Sequence, residues 1–386
     1  MIFLLESVMI VRKDELKGLT HMIKHRDHFH GSDLEKIEQV YGINKEDIIS
    51  FSANVNPLGV SFLLKETLAN KIDAITTYPD REYTSLRQSI SSYVNADMNH
   101  IIVGNGSTEL ISLFIQIQKP KKALLIGPTY SEYEREITLN GGRITYYRLE
   151  EEHDFVIDVN DFKANLGSDT DLLIICNPNN PTSSVITHND MRAILDDCKQ
   201  RGIDVLIDET YVEFAPNIND ITAIPFTEYY SNLFIIRGIS KFFAAPGLRL
   251  GYGICGNEDL LKEINKRKNP WTINSLACIA GEIMFSDQTY IEKTRLLIQE
   301  ERNRISKKLR NLQHIKIYEP SANFVLVRIL KDDITSQDIF DSAIKKNLMI
   351  RDCSTFPFLD DHYIRFCFML PEQNDQLLHV LEELLN

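Results

Sequence analysis

A chain of 386 residues with a formal charge of −13 and no long basic run is too long for one small core. It is also too acidic to present a nucleic-acid footprint or a surface for anionic membranes. Apolar, aromatic and charged fractions of 43%, 9% and 25% are those of an ordinary globular protein and exclude a fibre or a disordered chain.

Residues 1–29 read as a leader without a specified fold. Met1–Val11 is apolar, but it lacks a basic start, contains Glu6, and runs into Arg12 and Lys13 where a signal peptide would have small residues. Secretion is therefore not expected. His21, His25, His28 and His30 cluster here at partly helical spacing; without a cysteine partner, a solvated tail accounts for the first three and no metal is expected. Residues 30–60 are assigned to a segment associated with a small domain, 61–285 to a large domain and 286–386 to the small domain itself.

Between Leu63 and Cys255, helical patterns alternate with short apolar runs: Ile101–Val103, Ala123–Ile126, Leu172–Cys176, Val205–Ile207, Leu233–Ile236 and Leu250–Ile254. Runs that are apolar continuously, not alternately, predict strands covered on both faces, hence an α/β domain with a mostly parallel sheet sandwiched by helices. After Trp271 the pattern changes. A long charge-laced helical region (Ser275–Leu312), a strand at Asn323–Arg328, a further helix and a strand at Tyr363–Phe368 predict a smaller α+β domain. Six scattered cysteines without a CxxC pair fit a reducing cytoplasm.

In parallel sheets, ligands gather beyond the carboxyl ends of the strands. After Ile101–Val103 comes Gly104-Asn105-Gly106-Ser107-Thr108, a tight turn opening a helix. It can bind an anion through free N–H groups and hydroxyls, or it can be a simple capped turn. After Leu172–Cys176, Asn177-Pro178-Asn179-Asn180-Pro181-Thr182 forms a rigid loop able to present an asparagine, or an ordinary surface turn. Asp208 ends the next run with Tyr211 three residues on; a buried acid there needs a cation such as a protonated ring nitrogen, unless it caps a helix. Ser240-Lys241 follows the run after that, and Arg249 stands eight residues later. Beside Arg237 and Arg249 the Lys241 ammonium is disfavoured, which makes the amine a better nucleophile, while Ser240 and Arg249 can clamp a phosphate. The alternative is a solvated basic loop.

The ordered set resembles the fold-type I enzymes that use pyridoxal 5′-phosphate (PLP), the class I/II aminotransferase family, from His30 onward. The resemblance implies that Lys241 forms the Schiff base with the cofactor, Asp208 pairs with the ring nitrogen, and Asn180 and Tyr211 bond the ring oxygen. It implies further that the Gly106-Ser107-Thr108 turn, Ser240 and Arg249 bind the phosphate. Tyr130 stacks on the ring, and Tyr78 reaches the phosphate across a homodimer interface. Arg365 and Asn323 fall in segments that line the substrate site. Within that class, His30-Gly31, Phe51-Ser52-Ala53-Asn54-Val55-Asn56-Pro57-Leu58-Gly59, Tyr78-Pro79-Asp80, Pro270-Trp271-Thr272-Ile273-Asn274 and Met349-Ile350-Arg351-Asp352-Cys353 resemble threonine-phosphate decarboxylases of cobalamin biosynthesis, relatives of histidinol-phosphate aminotransferases.

The implied substrate is a small anionic amino-acid phosphate, O-phospho-L-threonine or O-phospho-L-serine, with His30, Asn54, Asn323, Arg351 and Arg365 as its binding residues. An aminotransferase acting on histidinol phosphate and a catalytically silent binding protein of the same fold are the alternatives. The loop departs from the family at Ser183, where glycine is usual; a serine there implies a backbone that avoids positive φ. Gly251-Tyr252-Gly253-Ile254-Cys255-Gly256 matches GxGxxG but lies in a strand, not between strand and helix, so no dinucleotide is expected.

Overall fold

A run such as Leu172–Cys176 has no polar residue to turn toward water. In the computed structural model, which describes residues 33–386, all five of its residues are buried. The leader, the histidines at 21, 25, 28 and 30, and the pair Gly31-Ser32 lie outside the described residues.

In chain order the strands are β1 (Ile49–Ser50), β2 (Ile101–Gly104), β3 (Lys122–Gly127), β4 (Arg143–Arg148), β5 (Leu172–Cys176), β6 (Asp204–Asp208), β7 (Leu233–Gly238), β8 (Gly251–Ile254), β9 (Ile315–Ile317), β10 (Phe324–Ile329), β11 (Leu348–Met349), β12 (Arg351–Asp352) and β13 (Tyr363–Cys367). Seven of them form one sheet in the order β2-β8-β7-β6-β5-β3-β4. Every neighbouring pair is parallel except those of β8, which runs antiparallel to both β2 and β7. Alternate residues of each strand enter two separate cores. Val205 and Ile207 of β6 join the cluster that continues into the C-terminal part of the chain. Leu206 joins the cluster beneath helices Ser107–Gln118 and Glu258–Arg267. The sheet is therefore covered by helices on both faces, as its sequence requires.

Strand β4 is absent from the sequence reading. Its residues, Arg-Ile-Thr-Tyr-Tyr-Arg, are exposed or half-buried at the edge of the sheet, so the continuous apolar run that marks an interior strand never forms. The single helical region expected over Ser275–Leu312 is two helices, Ser275–Met284 and Gln288–Leu309. The break falls at Asp287, whose carboxylate accepts the Tyr290 N–H at 3.0 Å as an N-cap.

The C-terminal part holds an antiparallel sheet of order β12-β13-β10-β9. The N-terminal segment is stitched to it. β1 pairs in parallel with β11, the Phe51 N–H donates to Met349 O at 2.8 Å, and the Cys367 N–H donates to Phe51 O at 2.9 Å. The GxGxxG glycines serve packing. A Cβ on Gly251 would lie 2.3 Å from Ser107 N, one on Gly253 2.5 Å from the Phe234 ring, and one on Gly256 2.1 Å from Thr227 O.

Candidate active site

The reversed direction of β8 decides what meets at the functional edge. Gly251, its first residue, is registered with Gly104 at the end of β2 and with Gly238 at the end of β7. The chain preceding β8 therefore arrives where its neighbours leave. Arg249 joins Ser240 and Lys241 for that reason, at the mouth of a cavity of about 860 Å³ that Asp208 and Tyr211 also line. Its size is in the range of small-molecule sites.

One end of the cavity is an anion cradle. Helix Ser107–Gln118 begins after Gly106, which has no side chain to cap it, so among the described residues its first N–H groups have no side-chain cap. Gly106 has φ +79°, and a Cβ there would lie 2.4 Å from a guanidinium nitrogen of Arg249. Only glycine allows both the turn and that approach. Ser107, Thr108 and Ser240 complete this wall. Glu109 braces the turn from behind, accepting the Asn105 N–H at 2.7 Å and the Thr272 hydroxyl at 2.6 Å.

At the other end stands Asp208, 5% exposed. Its carboxylate accepts from the Tyr133 hydroxyl at 2.7 Å and from the Thr210 hydroxyl and N–H at 2.5 and 2.9 Å. Burial nevertheless pushes its pKa up, against those bonds. Tyr133 and Thr210 are absent from the sequence reading. Tyr133 follows Tyr130 by three residues and sits edge-on to it at 5.6 Å, but nothing in that spacing announces a carboxylate partner from another strand.

Lys241 donates to Ala53 O at 2.6 Å. Burial, then the positive charge of Arg365, draws its ammonium down to about 8 from its ordinary 10.5. The cation that acts on it is thus Arg365, not Arg237 and Arg249 as the sequence suggests. Arg237 is buried in an ion pair with Glu209, at 2.9 Å from Nε and 2.6 Å from Nη2. The three loop asparagines divide the work. Asn177 and Asn179 bond backbone and neighbouring hydroxyls, and Asn180 faces the cavity. Its Oδ1 is taken by Arg365 Nη1, which leaves its amide nitrogen as a donor. Tyr211 stands edge-on to Phe324 at 5.0 Å, its hydroxyl pushed up to about 12 by burial.

Of the expected substrate residues, Arg351 and Arg365 line the cavity, whereas Asn54 and Asn323 stand one layer behind it. Both are fully buried. Asn323 Nδ2 donates to Asn54 O at 3.0 Å, and Asn54 Nδ2 reaches the Tyr211 hydroxyl at 3.4 Å. Tyr78 is 80% exposed on the outer surface, its ring 4.7 Å from that of Trp271. Ser183 overturns its expectation: it occupies the left-handed region at φ +63°.

The class I and II aminotransferase family model matches residues 46–381. The chain belongs to that family. Threonine-phosphate decarboxylase of Salmonella typhimurium is 32% identical over 356 residues, covering 92% of this chain and 96% of the relative. Histidinol-phosphate aminotransferase of Methanocaldococcus jannaschii is 28% identical over 359 residues, covering 92% and 94%. The crystal structure of histidinol-phosphate aminotransferase from Clostridium acetobutylicum, 34% identical, superposes with a TM-score of 0.81 over 86% of this chain and 98% of that one.

The cofactor of this member of the class I and II aminotransferase family is PLP, and the residues fit it. The Gly106–Thr108 cradle with Arg249 suits a phosphate. The buried Asp208 carboxylate suits a cationic ring nitrogen. The Lys241 amine is drawn toward its reactive neutral form, and among the described residues Arg365 Nε and Ser52 Oγ, both lining the cavity, are buried without partners.

Proposed function

We propose that this enzyme decarboxylates a phosphorylated amino acid, O-phospho-L-threonine or O-phospho-L-serine. The observation that carries the proposal is a pair of cations. Arg351 of β12 and Arg365 of β13 are registered opposite one another, so their side chains leave the same face of the sheet, and both line the cavity. Like charges in that position repel unless an anion lies against them. Burial, and then the charge of Arg365, disfavours the Arg351 guanidinium. The Gly106–Thr108 cradle at the other wall suits the cofactor phosphate, so two separate cationic regions face one cavity. A phosphorylated amino acid brings a carboxylate and a phosphate to two cations, whereas histidinol phosphate brings one anion.

When bound, PLP supplies the electron sink into which a bond at the substrate Cα is broken. The protein's residues do the rest. Asp208 holds a positive ring nitrogen in place. Arg365, fixed by Asn180 and by Ser52 O at 2.6 Å, and Arg351, held to Thr355 Oγ1 at 2.9 Å, grip the anions and so set which bond at Cα is presented. The Lys241 amine, with a pKa near 8, can accept or return a proton at neutral pH.

Similarity to histidinol-phosphate aminotransferases supports amino transfer as the second reading. Incubating the holoenzyme with each amino-acid phosphate and measuring CO₂ separates the two. Release of CO₂ without consumption of 2-oxoglutarate is expected. Amino transfer to 2-oxoglutarate with no CO₂ would replace the decarboxylase reading.

We propose also that the enzyme is a cytoplasmic homodimer. Six buried, unpaired cysteines support a reducing compartment, and among the described residues no helix is long and apolar enough to cross a membrane. Phe62, Ile75, Tyr78 and Trp271 leave apolar surface on one side of the large domain, which supports a partner there.

A further inference from the structure

We infer that Ser183 is a positioning residue. It locks the asparagine loop of the large domain to the segment carrying Asn323, and so holds Asn180 and Tyr211 at their places against the cofactor ring. The inference rests on the family and its cofactor, not on the choice of substrate.

Ser183 is fully buried at φ +63°, a conformation that glycine adopts freely and serine does not. What glycine lacks is the hydroxyl. Ser183 Oγ accepts two successive backbone N–H groups from a distant segment, Ser321 at 3.0 Å and Ala322 at 2.8 Å. Its carbonyl also accepts from Ser321 at 3.2 Å, and its own N–H donates to Asn179 O at 2.7 Å. A single side chain thus bridges two segments 138 residues apart, where a buried N–H would otherwise lose its acceptor.

Both segments lead to the cavity. Three residues before Ser183, Asn180 is oriented by Arg365. One residue after Ala322, Asn323 receives the Phe368 N–H at 2.8 Å and donates to Asn54 O, and Asn54 donates to the Tyr211 hydroxyl. β10, which follows Asn323, pairs with β13, placing Leu326 opposite Arg365. The contacts close a ring in which Ser183 is the junction between the Asn180 side and the Tyr211 side.

The test compares wild type, Ser183→Gly and Ser183→Ala as holoenzymes. The first reading is the pH at which the visible absorption of the bound cofactor changes. A hydrogen bond from Asn180 draws charge from the ring oxygen and weakens its hold on a neighbouring proton. Loosening that bond is expected to raise the midpoint by about half a unit in both variants. Cofactor affinity is expected to stay within about threefold, since its phosphate is held elsewhere. Turnover is expected to fall about tenfold or more, in kcat more than in KM. Ser183→Gly relieves the backbone, so it remains informative if the alanine variant fails to fold. A wild-type midpoint in Ser183→Gly makes Ser183 a structural residue only and overturns the inference. Failure to release CO₂ counts against the proposed substrate, and the midpoint still decides for Ser183.

Discussion

Lys241 and Arg365 show how one side chain prepares another. Burial alone disfavours the lysine ammonium, and the guanidinium beyond it adds to that. Since its midpoint is lowered to about 8, the amine is protonated below that pH and largely neutral above it. The apoprotein is therefore expected to capture pyridoxal 5′-phosphate at a rate that rises through about pH 8, not 10.5. Arg365→Met removes the second cause and leaves the first. It is expected to move this midpoint upward without restoring the ordinary value, as measured by stopped-flow absorbance over pH. An unchanged midpoint would mean that Arg365 does not act on the lysine electrostatically. Arg237, nearer in sequence, lacks this influence because Glu209 neutralises it; only the folded chain reveals that pairing.

At the level of elements, the sequence exposes what is written locally and hides what depends on a partner. The apolar runs that become β3 and β5 to β8 are legible because interior strands need no polar residue, and β2, though it ends the sheet, is legible because it is buried along its whole length. β4, at the opposite edge, is not, because its residues are exposed or half-buried and need no apolar run. The motifs at the strand ends are legible since glycine, proline and a strand-end acid each carry a local constraint. Tyr133 and the Ser183 hydroxyl are not, because their partners come from distant segments; Thr210 bonds Asp208 only two residues away, but a threonine after a strand-end acid carries no signal of its own.

The turn after β2 can be tested on these terms. Gly106→Ala forces a side chain into the left-handed region and against Arg249. It is expected to weaken PLP binding tenfold or more, about 1.4 kcal/mol, while weakening pyridoxal, which lacks the phosphate, much less. Gly247→Ala is the control: a Cβ there meets nothing within 4 Å and no left-handed φ is involved, so affinity for both should persist. Equal losses for the two ligands would place the phosphate somewhere other than this turn.

For the whole molecule, what matters is the surface around helix Phe62–Asn70 and Tyr78. Helix Phe62–Asn70 and the turn Ile72–Thr76 pack on helix Ser275–Met284, yet Phe62, Ile75 and Tyr78 stay 79%, 62% and 80% exposed. Trp271, at φ +53°, lies against Tyr78 and is joined to the cofactor cradle through the adjacent Thr272 and Glu109. Exposed aromatic surface so close to a cofactor site is costly in a monomer and natural at an interface. If two copies meet here, Tyr78 serves the partner's site, and dimer assembly and cofactor binding are coupled. Sedimentation of the wild type is then expected to give twice the 44.5 kDa chain mass. The double substitution Phe62→Asp, Ile75→Asp is expected to give monomers with cofactor affinity reduced about tenfold or more. Tyr78→Phe separates the two roles: it should remain a dimer and lose affinity alone. A wild-type monomer that binds the cofactor as tightly as a dimer would leave this surface without a partner and Tyr78 without a role.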